Sequence, residues 1–346
     1  MARRSRSTDR PTGPIALQPI TILGAGSWGT ALAIQFARAG RPTVLWGRAE
    51  DEPEKIARER CNRRYLPGAE LPPALQVESD LAAALRSAQD ILVVVPSSAL
   101  RPLLTEIAPL LGPGARVAWA TKGFELATGK LPHQVAREVL GPQVPIAVLS
   151  GPTFAREVGR GMPTAIACAS PDPEFALQLA RSISTPHLRA YTQADIIGVE
   201  VGGAVKNVIA IATGASDGMG FGSNARVFLI TRGLAEMVRL GTALGAQRET
   251  FMGLTGLGDL VLTCTDDQSR NRRFGLAVAR GMSIEAAVRE IGQVVEGYHA
   301  ASAVRKVAAR HGVDMPICEH VYRVIHEGLD IERVVASLMS RAVSAE

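Results

Sequence analysis

The sequence predicts an α/β protein in which a mostly parallel sheet domain is followed by an all-helical domain. Between residues 20 and about 190, short β-branched runs alternate with amphipathic or Ala-rich stretches, which is the pattern of βαβ units. After Asp195 the strand pattern ends and long helical periodicities take its place. The length of 346 residues agrees with two domains, at about 150 residues per domain.

The predicted strands are short apolar runs with the composition of buried strands in a parallel sheet. In chain order they cover residues 20–24, 43–47, 91–95, 116–120, 146–150, 163–170 and 187–191. Helical patterns lie between them at 27–39, 79–87, 97–111, 132–140 and 173–184. Later helices are predicted near 195–215, 224–245, 283–291, 298–311 and 316–327. We therefore expect a disordered basic tail over 1–18, a sheet domain over 19–193 and a helical domain over 194–340.

The formal net charge of +5 resides mostly in the N-terminal tail. Residues 1–14 hold four Arg and one Asp, which leaves 34 basic and 32 acidic residues, a net of +2, for the rest of the chain. This nearly balanced body provides no electrostatic basis for binding a polyanion. We therefore expect no nucleic-acid partner.

The four cysteines are far apart, and no CxxC or Cys/His pair has metal-ligand spacing. They are Cys61, Cys168, Cys264 and Cys318. The pattern predicts reduced thiols in a cytoplasmic protein, with neither a disulfide scaffold nor a zinc site. The longest apolar stretch, 196–215, contains Glu200 and Lys206, so we expect no membrane insertion.

A Gly-x-Gly-x-x-Gly motif follows the first predicted strand and opens the first predicted helix, with its glycines at Gly24, Gly26 and Gly29. In a Rossmann-type fold the first glycine permits the tight turn, the second lets backbone amides approach a pyrophosphate, and the third allows close helix packing. The helix N-terminus also favours an anion. The motif predicts a dinucleotide cofactor, NAD or NADP, and the alternative is a tight turn without a ligand.

Arg48 occupies the tip of the second predicted strand, where NAD-binding folds often place an acidic residue for the ribose. Arg can pair with a 2′-phosphate, which admits NADP, whereas Glu50 and Asp51 nearby leave NAD open. A solvent-facing Arg is the alternative. Trp28 either covers the cofactor or packs in the core.

Lysine is rare in this chain, with five residues against 33 arginines, so its positions are informative. Lys122 follows a buried strand at the edge where open α/β sheets bind ligands. Lys206 lies in a nearly apolar helical stretch, where an ammonium group is costly unless it is paired or deprotonated. Because Lys exchanges protons more readily than Arg, we expect both lysines at a catalytic centre, with Lys206 as a general acid for carbonyl reduction. The alternative is a lysine that snorkels to water.

An anion site is predicted in the helical half around Ser269, Arg270 and Asn271. Ser269 can cap a helix whose first turn carries arginines, so that free backbone amides and guanidinium groups meet and suit a phosphate. Arg272 and Arg273 cannot face the same ligand as well. We expect these two to be solvated or to pair with nearby aspartates or the cofactor, and a charged surface helix is the alternative for the whole cluster.

Three further residues of the helical half have two open interpretations. Asp259, amid apolar residues, either holds Lys206 in place or caps a helix, and Thr263 and Glu296 are equally ambiguous. The glycine-rich segment 214–222 follows no strand and lacks the P-loop ending, so we interpret it as a connection between helices.

A series of motifs in one order carries a family resemblance that spans residues 19 to 340. The motifs are GAGSWGTALA (24–33), VLWGR (44–48), WATKG (119–123), SGPTFARE (150–157), VGGAVKNVIAIATGASDGMGFGSNAR (201–226), GLGDLVLTC (256–264), QSRNRRFG (268–275) and GQVVEGY (292–298). With them the chain closely resembles bacterial NAD(P)-dependent glycerol-3-phosphate dehydrogenases. The resemblance implies reversible reduction of dihydroxyacetone phosphate to sn-glycerol 3-phosphate for glycerophospholipid synthesis, with the helical domain holding the small phosphorylated substrate.

The resemblance also implies roles for individual residues. It implies Lys206 as the proton donor or acceptor, with Lys122 and Asp259 beside it at the catalytic centre. The implied substrate residues are Lys122, Gly151, Thr153, Lys206, Asp259, Ser269, Arg270 and Asn271. The implied cofactor residues, together with the three glycines, are Ser27, Trp28, Arg48, Lys122, Ala155, Arg270, Val294 and Glu296.

Two other functions stay open at this point. One is a different two-domain dehydrogenase that acts on a hydroxyacid, a sugar acid or ketopantoate; the other is a dinucleotide sensor without catalytic activity. The sensor would not need a lysine embedded in an apolar helix. The sequence does not determine the oligomeric state, for which a homodimer is one candidate, nor the preference for NAD or NADP, any feedback regulation or the role of the tail.

Overall fold

The computed structural model describes residues 18–331 and 333–334. Most of the predicted tail therefore lies outside the described residues. The strands are β1 (Ile20–Leu23), β2 (Thr43–Trp46), β3 (Leu75–Glu78), β4 (Asp90–Val93), β5 (Arg116–Trp119), β6 (Ile146–Ser150), β7 (Thr164–Ala169) and β8 (Leu188–Gln193). They form one sheet in the order β3-β2-β1-β4-β5-β6-β7-β8. Only the β6–β7 pair is antiparallel among these strands, so the predicted mostly parallel sheet is confirmed.

Seven helices connect the strands. They are α1 (Ser27–Arg38), α2 (Pro53–Glu59), α3 (Leu81–Leu85), α4 (Ser97–Ile107), α5 (Pro132–Leu140), α6 (Ala155–Arg160) and α7 (Pro173–Ile183). The sequence predicted neither β3 nor α2 nor α6. Strand β3 is a four-residue edge strand with only two apolar side chains, and the two helices are short and largely polar, so none has enough periodicity to be recognised.

The second half of the described chain is helical. Its helices are α8 (Ile196–Gly218), α9 (Gly222–Ala243), α10 (Asp259–Thr265), α11 (Arg270–Ala279), α12 (Ile284–Ile291), α13 (Glu296–Arg310) and α14 (Pro316–Glu327). The predicted helical fold of the second half is confirmed. The exact domain boundary, between residues 193 and 194, stays a prediction. The proposed connection 214–222 is too long, because α8 continues through Gly218 and the turn occupies only the next three residues.

Helix α8 is the centre of the helical half. None of its residues is exposed, and neighbouring helices pack directly on its backbone at glycines. A Cβ atom at Gly214 would lie 2.0 Å from the carbonyl oxygen of Arg272 in α11, and one at Gly275 of α11 would lie 2.1 Å from the carbonyl oxygen of Ile211. By length and composition α8 could cross a membrane, but 89% of its apolar window is buried inside the protein.

The order of the strands reverses direction between β1 and β4, which both lie in the middle of the sheet. In open α/β sheets the loops that leave such a switch point at the carboxyl edge separate and leave a crevice for a ligand. The loops that follow β1, β4, β5 and β6 all leave the sheet at this edge, because these four strands are parallel. The fold therefore places the glycine motif and Lys122 at the same edge.

Candidate functional site

A cleft of about 1200 Å³ opens at the switch point. Its floor is the glycine motif and the start of α1, and its opposite wall is formed by residues 284–299 of the helical half. A second cavity of about 690 Å³ lies beside it and shares lining residues with it, among them Trp28, Arg270 and Glu296. The first cavity is walled by both halves of the chain, and the second is lined mainly by polar and charged groups.

The glycine motif fits a dinucleotide pyrophosphate. Gly24 has a φ of +122°, and a Cβ atom there would lie 2.3 Å from the carbonyl oxygen of Val94. Gly26 is the N-cap of α1, where no side chain bonds to the first-turn amides and no heavy atom lies within 4 Å of an added Cβ. A Cβ at Gly29 would lie 1.9 Å from the carbonyl oxygen of Gly24, so only glycine allows α1 to pack this closely. The open amides of the first turn are suited to bind an anion.

Two more side chains of this cleft, Trp28 and Arg48, carry polar groups that could meet a cofactor. Trp28 packs on the core with part of its ring and lines both cavities, and its buried Nε1 has no hydrogen-bond partner among the described residues. The position of Trp28 therefore agrees with both interpretations, because its ring packs on the core and also lines the cleft. Arg48 follows β2, and 62% of its side chain is exposed. Its guanidinium pairs with Glu50 at 2.9 Å and lies 3.6 Å from Asp51.

The two predicted lysines meet at one buried carboxylate. Asp259, which is 1% exposed, accepts a hydrogen bond from Lys206 at 2.5 Å through Oδ1 and one from Lys122 at 2.9 Å through Oδ2. Lys206 Nζ also donates to Thr263 Oγ1 at 2.9 Å. Of the two interpretations of Asp259, the structure shows the one that holds Lys206.

The electrostatics of this cluster differ for the two amines. Burial lowers the pKa of Lys206, and the charge of Lys122 lowers it further, so that it falls to about 8 despite the attraction of Asp259. At Lys122 burial also lowers the pKa, but the attraction and hydrogen bond of Asp259 outweigh burial, and the net direction is upward. Lys206 is therefore the amine that can exchange a proton near neutral pH.

A chain of amide side chains joins this centre to the wall of the cleft. Asn207, next to Lys206 on α8, donates to Glu296 Oε2 at 2.9 Å and accepts from Asn271 Nδ2 at 2.9 Å. Asn271 in turn accepts from the backbone amide of Gly297 at 2.8 Å. These bonds fix Glu296 at the boundary between the two cavities, since Glu296 lines both.

The residues of the predicted anion cluster differ in their burial and in their partners. Ser269 is the N-cap of α11 and accepts from the backbone amide of Arg272 at 3.2 Å, as predicted. Arg272 is not solvated: it is 7% exposed and pairs with Asp217 and Asp267. Arg270 donates a hydrogen bond to Gln293 at 3.4 Å and lines both cavities.

Three more guanidinium groups on the second cavity have no ion-pair partner within residues 18–331 and 333–334. They belong to the exposed residues Arg64, which follows α2, Arg156 of α6 and Arg273 of α11. Together with Arg270 they make this cavity suitable for an anion.

Only some of the predicted site residues in the loop after β6 line a cavity. Thr153 and Ala155 line the second cavity, as does Lys122. Gly151 has a φ of +156° and is buried, but it lines neither cavity, so its implied substrate contact is not visible in the structure. Val294 is exposed and Ser27 half-buried on the lining of the large cleft.

Sequence reasoning missed three residues that line or support this site. Asn207 was not selected although it adjoins Lys206 in the same apolar stretch, which was the available signal. Tyr65 and Gln293 line both cavities but lie in polar segments without a recognisable pattern. In the part of the chain that the structure describes, no group of three or more His, Cys, Asp or Glu side chains is arranged to hold a metal ion.

Two family models match the chain. The NAD-dependent glycerol-3-phosphate dehydrogenase N-terminus matches residues 19–176, and the C-terminus of the same family matches residues 195–336. A glycerol-3-phosphate dehydrogenase [NAD(P)+] from Pasteurella multocida is 54% identical over 333 residues, which cover 96% of this chain and 99% of the relative.

Solved structures agree with these matches. The glycerol-3-phosphate dehydrogenase structure from Coxiella burnetii is 47% identical, has a TM-score of 0.91, and the alignment covers 94% of this chain and 100% of that one. A glycerol-3-phosphate dehydrogenase structure from Saccharomyces cerevisiae has a TM-score of 0.82 at 24% identity, covering 94% and 100% of the two chains, which is a likeness of fold. On these matches, the chain belongs to the NAD-dependent glycerol-3-phosphate dehydrogenase family.

Proposed function

We propose that this chain catalyses the reversible NAD(P)-dependent reduction of dihydroxyacetone phosphate to sn-glycerol 3-phosphate. The observation that carries the proposal is the pair of lysines on one buried carboxylate, next to a cavity lined by four arginines that have no ion-pair partner among the described residues. This arrangement combines a proton donor with a phosphate-binding surface, as a phosphorylated ketone requires. The family membership agrees with it.

The sheet half is the proposed cofactor domain. The amides of the glycine motif hold the pyrophosphate, with Ser27 and Trp28 beside it, and Arg48 holds the adenosine end. Ala155, Val294 and Glu296 are the other proposed contacts, with Lys122 and Arg270 from the adjoining cavity. A bound reduced nicotinamide supplies the hydride for the substrate carbon.

The helical half is the proposed substrate domain, because it supplies the predicted anion cluster and Lys206 to the second cavity. Ser269, Arg270 and Asn271 bind the phosphate, and Thr153, after Gly151, closes the opposite side. Fixing the phosphate at one end holds the ketone near the lysines, so that part of the reaction barrier is removed by positioning. Arg156 and Arg273 increase the positive potential at the entrance.

Lys206 donates its proton to the ketone oxygen as negative charge develops there. Asp259 and Thr263 hold the amine in place through their hydrogen bonds. Lys122 stays protonated and stabilises the developing oxyanion. In the reverse direction, neutral Lys206 accepts the proton of the hydroxyl group.

The proposal includes a cytoplasmic enzyme and a homodimer, the latter to be tested by sedimentation. The activity itself is tested by NADH and NADPH oxidation with dihydroxyacetone phosphate, compared with 2-oxo acids and ketopantoate. We expect turnover only with dihydroxyacetone phosphate. Faster oxidation with another substrate would identify a different dehydrogenase, and binding without turnover would identify a dinucleotide sensor.

A further inference from the structure

The two lysines come from different halves of the chain, so a contact must fix the segment that carries Lys122 relative to α8. Lys122 lies in the segment 120–132, which runs from the end of β5 to the first residue of α5. This segment includes a long loop without a strand, and loops are more mobile than the elements they connect. Lys206 lies in the middle of α8.

Glu200, on α8 like Lys206, contacts the residues at both ends of this segment. Its Oε1 accepts from the indole Nε1 of Trp119, the last residue of β5, at 2.9 Å. The same oxygen accepts from the backbone amide of His133 in the first turn of α5, also at 2.9 Å, and Oε2 lies 2.5 Å from His133 Nδ1. One side chain thus binds the residue before the segment and the residue after it.

The surroundings of Glu200 hold its carboxyl group in place, although burial raises its pKa above the ordinary value. Its side chain is 1% exposed, and a buried acid is tolerated when its oxygens are hydrogen-bonded. The amide of His133 is one of the free donors at the N-terminus of α5, where a negative charge is favourable. Phe124 and Leu131 of the segment are in the same buried apolar cluster as residues of α8, which adds a second set of contacts.

We infer that Glu200 is a positioning residue, which holds both ends of segment 120–132 on α8 and so keeps Lys122 on the carboxylate that it shares with Lys206. The inference rests on the proposed function for its catalytic consequence, because it concerns the same lysines. It makes a specific prediction about charge. When Lys122 moves away, Lys206 loses a repulsive neighbour and retains the attraction of Asp259 and Glu296, so the pKa of Lys206 rises above about 8.

Three variants separate positioning from stability. Glu200→Ala removes every contact of the carboxylate, whereas Glu200→Gln retains an oxygen that can accept from Trp119 and from the His133 amide. Glu236→Ala is the matched control. Glu236 is also a buried acid on a helix that accepts from two backbone amides, those of Ile317 and Cys318, and none of its hydrogen bonds involves segment 120–132.

The primary measurement is the pH midpoint for acetylation of Lys206 in the free protein, quantified on its peptide by mass spectrometry. We expect a midpoint near 8 in the original chain, in Glu200→Gln and in Glu236→Ala, and a higher midpoint in Glu200→Ala. In the same variant, kcat with dihydroxyacetone phosphate is expected to fall on the order of 10²-fold, the usual effect of a misplacement of about 1 Å at a reacting group.

An unchanged midpoint in folded Glu200→Ala, or an equal rise in Glu236→Ala, would overturn the inference. If circular dichroism shows that Glu200→Ala does not fold, Trp119→Phe takes its place, because it removes one donor and leaves the His133 contacts. The midpoint is then expected to rise by less, and no rise would again contradict the inference. If the original chain does not turn over dihydroxyacetone phosphate, the proposed function fails, while the acetylation midpoint still decides whether Glu200 positions Lys122.

Discussion

The Nζ atom of Lys206 lies 2.5 Å from Oδ1 of Asp259, and both groups are almost completely removed from solvent. Because Asp259 also receives the hydrogen bond of Lys122, its single negative charge is divided between two amines. Burial and the repulsion between the two amines therefore favour the loss of one proton, and the attraction of Glu296 opposes this only in part. We expect this proton to take part in the reaction.

Replacing Lys206 with alanine removes the proposed general acid. We expect kcat for dihydroxyacetone phosphate reduction to fall by roughly 10²–10⁴, the usual contribution of general acid catalysis. Lys306→Ala is the matched control, because Lys306 is an exposed lysine of α13. Steady-state kinetics on both variants decides the assignment, and a nearly normal kcat in Lys206→Ala would contradict it.

The direction of the pH dependence should differ between the two directions of the reaction. Reduction requires protonated Lys206, so its kcat should fall as the pH rises through about 8. Oxidation of glycerol 3-phosphate requires the neutral amine, so its kcat should rise over the same range. Initial rates from pH 6 to 10 in both directions test this, and parallel profiles would argue against Lys206.

Removing Arg270 should affect only substrates that carry a phosphate. A hydrogen bond to a charged group contributes about 1.5–3 kcal/mol, so Arg270→Ala should lower kcat/KM for dihydroxyacetone phosphate by roughly ten- to a hundredfold. With free dihydroxyacetone the ratio of variant to original chain should stay near one. Arg181→Ala, an exposed arginine of α7, is the control, and an equal loss with both substrates would remove Arg270 from the phosphate site.

Arg48 and Glu50 should have opposite effects on NADPH binding. Arg48→Ala removes the cation available for a 2′-phosphate, and we expect the Kd for NADPH to rise about tenfold while that for NADH changes little. Glu50→Ala removes the ion-pair partner of Arg48, so NADPH should bind more tightly. Fluorescence titration measures both constants without turnover, and equal changes for the two dinucleotides would refute the role of Arg48.

The close packing of α8 on α11 should depend on Gly275. An added methyl group would lie 2.1 Å from the carbonyl oxygen of Ile211, so α11 must shift. We expect Gly275→Ala to lower the free energy of unfolding by about 1–3 kcal/mol, as overpacking does. Gly112→Ala is the control, since an added Cβ there meets no atom within 4 Å. Urea denaturation that finds both variants equally stable would contradict this packing argument.

The fold was predictable where the pattern was long. Short apolar runs that alternate with helical patterns predicted seven of the eight strands. The helical periodicity after Asp195 predicted the helical half. Edge strand β3 was missed because two apolar residues in four give no distinct period. The antiparallel direction of β7 depends on how the chain returns to the sheet, and local composition does not record this.

A site residue could be predicted where its charge was costly among apolar neighbours or where it directly followed a strand. The cost of burying an amine identified Lys206, and the position after a strand identified Lys122. Asp259 had two interpretations, because a carboxylate at the start of a helix is equally suited to capping. The role of Glu200 could not be predicted, because its partners are Trp119 and the first turn of α5. Both are distant from Glu200 in the sequence, and no spacing rule brings them together.

Helix α8 has no exposed residue, and Lys206 lies in its middle. Local opening of surface elements accounts for most hydrogen exchange at loops and chain ends. Such opening does not expose a buried helix of this kind. We therefore expect the backbone that carries the proton donor to stay in place until the helical half unfolds. On heating, Lys206 should lose its position in the same transition that unfolds this half.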